Sequence, residues 1–391
     1  MNNLPKISIV IPTLEFFEST KKLLEALSNQ SHLPDEIIIV DSSKTSRIKD
    51  LVATYKTFFN INYFKLGQAF PGEARNFGIA NARHNFIALL DSKTIPSKFW
   101  LEKNLSLHVK KNADVTFGST KYIADSKLQL ILQGCVYGKN PMETTPGSIF
   151  LKAANKSIGS FQEGIRASDD LDWRNRIRQS NLKFLSPNNG DLSYSEISNK
   201  FIDEIKRHFI YQFHSALTEV QMNTKIFIFG ISLLLISLII PHWNAIVGWE
   251  ESFFYVPHIT RGFFYIFSIF SLIILTSSKF IKFRSALSKF IGVIFVTFFL
   301  YIASQWNEVI ANWADESFLY IPHITKTYIL TLIFANFFFR ALYKPISGGL
   351  SLKNIFPFNW LFFGIAGFIL DLAKLPGYIF GAIYALFRPF K

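Results

Sequence analysis

Acidic residues follow apolar runs at several points in the first half of this sequence, and their type suits acid–base or metal chemistry. Asp41 directly follows one apolar run, Asp91 follows another, and three carboxylates crowd into residues 169–172. A carboxylate can take a proton from a hydroxyl or ligate a divalent metal, and crowding raises the pKa of such groups. Any one of these residues could instead cap a helix or lie in a loop. Their joint occurrence favours a binding or reaction site.

The elements that must position these carboxylates alternate between strand-like and helix-like patterns. The patterns predict strands at 7–11, 36–40 and 86–90, and helices at 18–28, 48–58 and 72–82. This β-α-β-α order predicts an α/β domain with a doubly wound sheet. Ligands in such sheets bind beyond the carboxyl ends of the strands, so we expect Asp41 and Asp91 at one edge of the sheet.

Five short segments, in this order and spacing, resemble the motifs of one enzyme family: residues 8–13, 40–43, 74–80, 89–92 and 169–172. The family is that of the inverting glycosyltransferases with the GT-A fold. The resemblance covers about the first half of the chain. It implies a Rossmann-like nucleotide-sugar transferase domain over residues 1–198, with a nucleotide-diphosphate sugar as donor.

The resemblance also implies roles for residues on the donor side. The positions that hold the base and ribose are matched by Pro12, Thr13, Glu15 and Asp41. Arg75 matches the Ala-Arg-Asn segment that lines the nucleotide pocket. Asp91 matches the first Asp of the family's Asp-x-Asp motif, which helps to bind a divalent metal.

On the acceptor side, Asp170 matches the family's general base at the start of a helix. Residues 146–150 look like the loop before that helix. The further residues expected on this side are Gly147, Ser148, Asp169, Asp172 and Trp173. In the implied reaction a carboxylate removes the proton of an acceptor hydroxyl as it attacks the anomeric carbon. The nucleoside diphosphate leaves from the opposite face, which inverts the anomeric centre.

Two departures from the family pattern affect this prediction. The residue two positions after Asp91 is Lys93, where the family has a second carboxylate. Lys93 could point to solvent while Asp91 and the diphosphate hold a metal, its ammonium could replace the metal, or the site could be inactive. We expect a weakly held Mg²⁺ or Mn²⁺ on Asp91, with Lys93 among the donor-binding residues. The Gln-x-x-Arg-Trp motif of processive synthases is missing, which predicts transfer of one sugar at a time.

The second half of the chain has the composition of a membrane protein. The sequence contains 43 Phe, its mean hydropathy is +0.23, and the apolar excess begins after Lys225. Four charge-free stretches follow, at 226–249, 262–278, 290–307 and 327–339. The segments 277–289 and 340–353 carry only basic charges, which by the positive-inside rule places them and the N-terminal domain in the cytoplasm. A pattern at 249–261 returns at 313–326, so 225–343 is expected to be a duplicated span–loop–span unit.

The net charge of +13 restricts the class of partner. Many basic residues flank apolar runs, which favours an anionic membrane surface over nucleic acid. The one cysteine, Cys135, excludes an internal disulfide framework and a Cys-rich zinc site.

Two segments beside the predicted spans are expected to lie on the membrane. Residues 199–224 have an apolar residue at every fourth position with basic residues between, which predicts an amphipathic helix. This helix could be a linker packed on the globular domain or lie in the membrane interface, and we favour the interface. Residues 344–391 form a basic, apolar tail that we expect to fold as a hairpin or a pair of interfacial helices.

These features predict an integral protein of the inner or plasma membrane whose cytoplasmic domain adds one sugar to a lipid-linked or cell-surface glycan. Its partners would be the donor, the acceptor and membrane lipids, without nucleic acid. One alternative is a polyprenyl-phosphate glycosyltransferase, whose anionic acceptor needs no general base; the carboxylates at 169–172 argue against it. The other is a catalytically degenerate membrane scaffold, which Lys93 keeps open.

Overall fold

The computed structural model describes residues 4–218, 220 and 333–387. The four predicted spans and the duplicated loops lie almost wholly outside these residues, so the membrane topology of 225–343 stays a prediction. Contacts group the chain up to Val220 with Phe337–Ile383 in one compact unit.

Within the described residues, this unit is built on a nine-stranded mixed sheet. Its strands are β1 (Ile7–Thr13), β2 (Glu36–Asp41), β3 (Ile61–Lys65), β4 (Phe86–Leu89), β5 (Ile95–Pro96), β6 (Val115–Tyr122), β7 (Met142–Leu151), β8 (Phe184–Leu185) and β9 (Leu192–Tyr194). They are ordered β3-β2-β1-β4-β7-β6-β9-β5, with β8 paired to β6. The predicted α/β class is confirmed, and the three predicted strands are β1, β2 and β4.

Helices connect these strands and cover both faces of the sheet. They are α1 (Phe17–Ser28), α2 (Arg47–Tyr55), α3 (Pro71–Asn81), α4 (Trp100–Lys110), α5 (Lys127–Leu132), α6 (Lys152–Ile158), α7 (Asp169–Gln179) and α8 (Phe201–Ser215). A helical segment at 333–347, a short helix at Leu352–Ile355 and a C-terminal helix at Asn359–Phe387 follow. The three predicted helices correspond to α1, α2 and α3.

Strand β2 shows why the central strands are apolar throughout. Ile37 and Ile39 pack into one core with α1 and α2, whereas Ile38 and Val40 pack into a second core with α3 and α7. Successive side chains of a strand point to opposite faces, so a strand covered on both faces cannot alternate with polar residues. Burying an aliphatic side chain of this size contributes about 1.5–3 kcal/mol.

The strand directions bring several chain segments to one edge of the sheet. β1, β2 and β4 run parallel, and β7 is antiparallel to both β4 and β6. Strand β6 therefore runs the same way as β4, and β9 runs parallel to β6. The carboxyl ends of β1, β2, β4, β6 and β9 thus lie at a common edge, which is where a doubly wound sheet binds its ligands.

The expectation of a loop at 146–150 is wrong, because these residues lie inside β7. Ile149 pairs with Ala88 of β4 and with Thr116 of β6, so both sides of this part of β7 carry strand partners. The apolar residues Ile149 and Phe150 make this segment a central strand, and α6 and a loop separate it from α7.

Within the predicted segment 199–224 the structure has α8 at Phe201–Ser215, and apolar side chains of α8 pack within the unit. Ile205 packs in a cluster with Phe363 of the C-terminal helix. Gly377 of that helix approaches the α8 backbone so closely that a Cβ there would collide with it. These contacts match the packed linker helix considered from the sequence, and a position of α8 in the membrane interface stays a prediction.

The expectation of a hairpin in residues 344–391 is wrong, because residues 359–387 form one helix, whereas an interfacial position of this segment stays a prediction. The single helix Asn359–Phe387 continues through Pro376, and Gly377 beside it packs closely against the backbone of α8. Its stretch Asn359–Ala385 has 27 residues and a mean hydropathy of 1.4, so its length and composition allow it to cross a membrane.

Candidate active site

Arg75 of α3 joins the two sides of the predicted site. Its Nη2 donates to Asp91 Oδ1 at 2.8 Å, and its Nη1 donates to Asp169 Oδ2 at 2.5 Å. Only 5% of the Arg75 side chain is exposed, and its guanidinium lies 5.5 Å from the centre of the Phe161 ring. One buried cation therefore links the end of β4 to the start of α7, which the sequence placed on opposite sides of the site.

The neighbours of Arg75 on α3 hold the loop that leads into α7. Asn76 exchanges two hydrogen bonds with the backbone of Phe161, at 2.9 and 2.8 Å. Glu73 accepts from the backbone N–H of Gly164 at 3.0 Å and caps its own helix by accepting from Phe70. The segment Ala74-Arg75-Asn76 thus fixes the approach of α7 to the sheet edge.

Asp170 presents an open carboxylate at the start of α7. Its backbone carbonyl accepts from the Thr145 hydroxyl at 3.2 Å, which anchors the helix start to β7. Its side chain is half-buried, and within the described part of the chain its carboxylate makes no hydrogen bond or ion pair. Ser168, at a positive φ of 72°, turns the chain sharply into the helix. This geometry leaves Asp170 available to accept a proton.

Asp91 is the other accessible carboxylate at this edge. Its side chain is 38% exposed, and only Oδ1 is engaged by Arg75. Among the described residues no group of three or more His, Cys, Asp or Glu side chains could hold a metal alone. Asp91 Oδ2 fits a divalent cation that takes its remaining ligands from phosphate oxygens and water, as Mg²⁺ usually does.

The residues expected to hold the base and ribose lie together at the ends of β1 and β2. Asp41 is fully buried and accepts from Tyr63 at 2.6 Å and from the backbone N–H of Ser43 at 2.8 Å. Glu15 accepts from the backbone N–H of Lys44, which lowers the pKa of its carboxyl. The Thr13 hydroxyl contacts that of Thr20, and Pro12 is half-buried in β1. Asp41 and Glu15 thus shape the loop after β2, and their direct contact with a nucleotide stays a prediction.

Lys93 does not point freely to solvent. Its Nζ lies 2.9 Å from Glu196 Oε2 and 3.9 Å from the centre of the Phe16 ring, and its side chain is 22% exposed. Glu196 also accepts from the Ser19 hydroxyl. The ammonium is already neutralised by a carboxylate, and its role in donor binding stays a prediction.

Three residues expected on the acceptor side have structural contacts of their own. Trp173 is fully buried in the core and donates from Nε1 to Asn155 at 2.8 Å. Ser148 is fully buried and accepts from the backbone N–H of Gly118 at 3.2 Å. Gly147 has a φ of +86° and lies close to Leu192. A side chain at this position would collide with Leu192. β7 is a central strand and α7 packs its aromatic residue inward, and contact of these three residues with an acceptor stays a prediction.

The remaining acidic residues near Asp170 are already paired. Asp172 forms an ion pair of 2.9 Å with Arg176, one turn later on the same helix. Asp169 is 3% exposed and bound to Arg75. Of the three carboxylates in this cluster, Asp170 is therefore the one available to a substrate.

The rings of Tyr122, Tyr137 and Tyr194 form a wall of tyrosines that the sequence reasoning missed. The Tyr122 ring stacks on Tyr137 at 4.7 Å and lies 5.3 Å from Tyr194. Burial, with the charge of Asp170 adding to it, raises the pKa of Tyr122 to about 12. Burial and the same carboxylate raise the pKa of Tyr211 on α8, although nearby arginines oppose this. The charge of Asp170 is thus felt by Tyr122 and Tyr211.

A sequence signal for part of this wall exists. Tyr122 ends β6 and Tyr194 ends β9, so both stand at a strand end as Asp41 does, although neither strand is a continuous apolar run like β2. Glu196 likewise lies near a strand end, two residues after β9. Tyr211 carries no such signal, because α8 reaches the site only through tertiary packing.

Asp169 is expected to titrate near neutral pH. Burial raises its pKa to about 6 although Arg75 opposes this, and Asp170 and Asp91 add to the raise. The folded-state pKa lies above the reference value of 3.8, so stabilisation by protonated Asp169 is full below pH 3.8 and is lost as pH rises to about 6. Between pH 3.8 and about 6 the Tm of the natural protein should fall relative to the Tm of Asp169→Asn. Above this range the two curves of Tm against pH should run parallel. Thermal unfolding at a series of pH values checks this, and parallel curves throughout would contradict it.

The first half of the chain is similar to known glycosyltransferases. Residues 8–161 match the family Glycosyl transferase family 2. A chondroitin synthase of Escherichia coli is 28% identical over 192 residues, which are 47% of this chain and 27% of that protein. An uncharacterized glycosyltransferase of Rickettsia bellii is 26% identical over 218 residues, which are 47% of this chain and 30% of that protein. The matched region thus spans less than a third of either relative.

A solved structure also aligns with the chain. The crystal structure of S. aureus TarS 1–349 in complex with UDP-GlcNAc has 16% sequence identity and a TM-score of 0.42. The alignment covers 55% of this chain and 67% of that one.

Proposed function

We propose, from the premise that residues 8–161 form a domain of glycosyl transferase family 2, that this chain transfers a single sugar with inversion. The donor is a nucleotide-diphosphate sugar, and the acceptor is a hydroxyl of a lipid-linked or cell-surface glycan. The observation that carries the proposal is the open carboxylate of Asp170, which follows Asp169 at the start of α7, where Arg75 links Asp169 to Asp91.

In the proposed reaction Asp170 is the general base. Its carboxylate takes the proton of the acceptor hydroxyl while the hydroxyl oxygen forms a bond to the anomeric carbon. The bond between that carbon and the diphosphate oxygen breaks on the opposite face, and the electron pair leaves with the nucleoside diphosphate. Arg75 fixes the relative positions of the two sides through Asp91 and Asp169, and the buried ion pairs need no reorganisation during transfer.

The tyrosine wall supports a sugar as the acceptor. Tyr122 and Tyr211 offer aromatic surface beside the base, and Tyr211 is 51% exposed. Apolar and aromatic surface with a few placed polar groups is typical of a site for a small organic ligand. The apolar face of a sugar ring can pack on such rings while its hydroxyl faces Asp170. A lipid phosphate acceptor would have no need of the base.

The leaving diphosphate needs a positive partner. A bound Mg²⁺ or Mn²⁺ would be held by Asp91 and would neutralise the diphosphate. Lys93 is already paired with Glu196, which argues against Lys93 replacing the cation.

We expect transfer to require added Mg²⁺ or Mn²⁺ and to stop in EDTA. Lys93→Gln should lower kcat/KM by less than about tenfold and leave the metal dependence unchanged, because Glu196 already neutralises this ammonium. Transfer rates with EDTA and with metal added back, for both proteins, check this. Asp91→Asn serves as the matched variant and should weaken the apparent metal affinity. Activity that survives EDTA but vanishes in Lys93→Gln would show that Lys93 replaces the metal.

The chain is further proposed to act at the cytoplasmic face of the inner or plasma membrane. The apolar stretches after Lys225, the basic segments between them and the long C-terminal helix support this location. Membrane lipids would then be permanent partners.

The test uses the full chain purified in detergent. A panel of nucleotide-diphosphate sugars is screened by thermal shift, since a donor at about 100 times its Kd adds about 2.7 kcal/mol to stability. The stabilising donor is then offered with polyprenyl phosphate or with a polyprenyl-diphosphate-linked sugar. Transfer to a hydroxyl of the linked sugar is expected. Transfer to the bare lipid phosphate would favour the polyprenyl-phosphate enzyme, and no donor binding, hydrolysis or transfer would favour the degenerate scaffold.

A further inference from the structure

Two cationic side chains share one carboxylate where the segment 337–347 packs against the C-terminal helix, and a third cation lies nearby in the sequence. Arg340 binds Asp371 through Nε at 2.7 Å and Nη2 at 2.6 Å, and Lys374 binds the same carboxylate at 2.8 Å. Lys344 lies one helical turn after Arg340. We call Arg340, Lys344, Asp371 and Lys374 the cationic cluster. Arg340 also donates to the carbonyl of Cys135 at 2.8 Å, which ties the cluster to the turn after α5.

Lys344 is the member whose charge is not matched. Its side chain is half-buried, and among the described residues no carboxylate lies within ion-pair distance of its ammonium. Burial lowers the pKa of Lys344, and the charges of Arg340 and Lys374 lower it further. A half-buried cation that lies one helical turn from Arg340 and has no carboxylate partner among the described residues carries an electrostatic cost that an added anion would remove.

The side chains that surround the cluster are apolar and exposed. Tyr343 is 63% exposed, Ile346 is 50% exposed and Leu372 is 53% exposed, and all three lie within two residues of a cluster member. Phe339, beside Arg340, is 45% exposed and lies under its guanidinium. Large exposed apolar side chains next to cations are typical of surfaces that meet the headgroup region of a bilayer.

We propose that the cationic cluster binds the phosphate headgroup of an anionic membrane lipid, with Lys344 making the principal contact. The pairs of Arg340 and Lys374 with Asp371 hold the site in shape, and Lys344 supplies the charge that has no carboxylate partner among the described residues. The exposed apolar side chains contact the acyl chains beside the headgroup. This site is separate from sugar transfer and does not depend on the proposed reaction.

The experiment measures lipid binding by the full chain in detergent. Dioleoyl phosphatidic acid, dioleoyl phosphatidylcholine and inorganic phosphate are each titrated while the Tm is recorded. Phosphatidic acid is expected to raise the Tm of the natural protein, whereas the other two have little effect. Lys344→Gln should raise the half-saturating concentration of phosphatidic acid at least about fivefold, the effect of losing one basic residue near an anionic surface.

Two further variants keep the result interpretable. Lys353→Gln removes an exposed lysine from the neighbouring short helix and should change the half-saturating concentration by less than about twofold. Lys344→Arg keeps the charge and should retain binding, even if Lys344→Gln lowers stability. Equal binding by Lys344→Gln and the natural protein, or an equal response to phosphatidylcholine or inorganic phosphate, would overturn the proposal.

Discussion

Replacing Asp170 by Asn is expected to lower turnover by about 10²–10⁴-fold while fold and donor binding are kept. The amide has nearly the same shape but cannot take the proton of the acceptor hydroxyl. Within the described part of the chain, the Asp170 carboxylate has no ion-pair partner whose loss would disturb the structure. Steady-state transfer rates, with donor affinity measured by thermal shift, check this expectation.

Asp172→Asn provides the matched control for this variant. Asp172 lies on the same helix, and its carboxylate is paired with Arg176 at 2.9 Å. Its loss should cost at most about 1 kcal/mol of stability and leave turnover near normal. Near-normal turnover in Asp170→Asn, or an equal loss in both variants, would remove Asp170 from the role of general base.

Arg75→Ala is expected to destabilise the domain by about 3–5 kcal/mol and to abolish transfer. The side chain is 5% exposed, and its removal leaves the buried carboxylate of Asp169 without its cation. It also frees Asp91, so the end of β4 and the start of α7 lose their common anchor. Thermal or denaturant unfolding in detergent measures the stability, and the transfer assay measures the activity.

Two other variants separate this ion-pair effect from simple truncation. Arg178→Ala removes a 49% exposed partner of Glu143 and should cost less than about 1 kcal/mol. The double variant Arg75→Ala with Asp169→Asn should recover part of the stability, because the unpaired buried charge is gone. The explanation fails if Arg75→Ala is no more harmful than Arg178→Ala, or if the double variant recovers no stability.

The sequence by itself determined the α/β class and the edge of the sheet that carries the site. Continuous apolar runs are typical of strands buried on both faces, and the residue after such a run must lie at a strand end. Asp41 and Asp91 could be placed for this reason, without knowledge of their partners. The crowded carboxylates at 169–172 likewise indicated the start of a helix, and α7 begins at Asp169.

Only the tertiary structure decided which of these residues are paired and which are open. Arg75 and Asp169 are 94 positions apart in the chain, and Lys93 and Glu196 are also distant in sequence. Trp173 and Ser148 sit in suitable segments but point into the core, because the strand order places β7 between β4 and β6. Local patterns fix where a strand or helix ends, whereas partners across the sheet depend on strand order and helix packing. For the same physical reason Tyr211 and Lys344 belong to sites that no local pattern in their own helices could reveal.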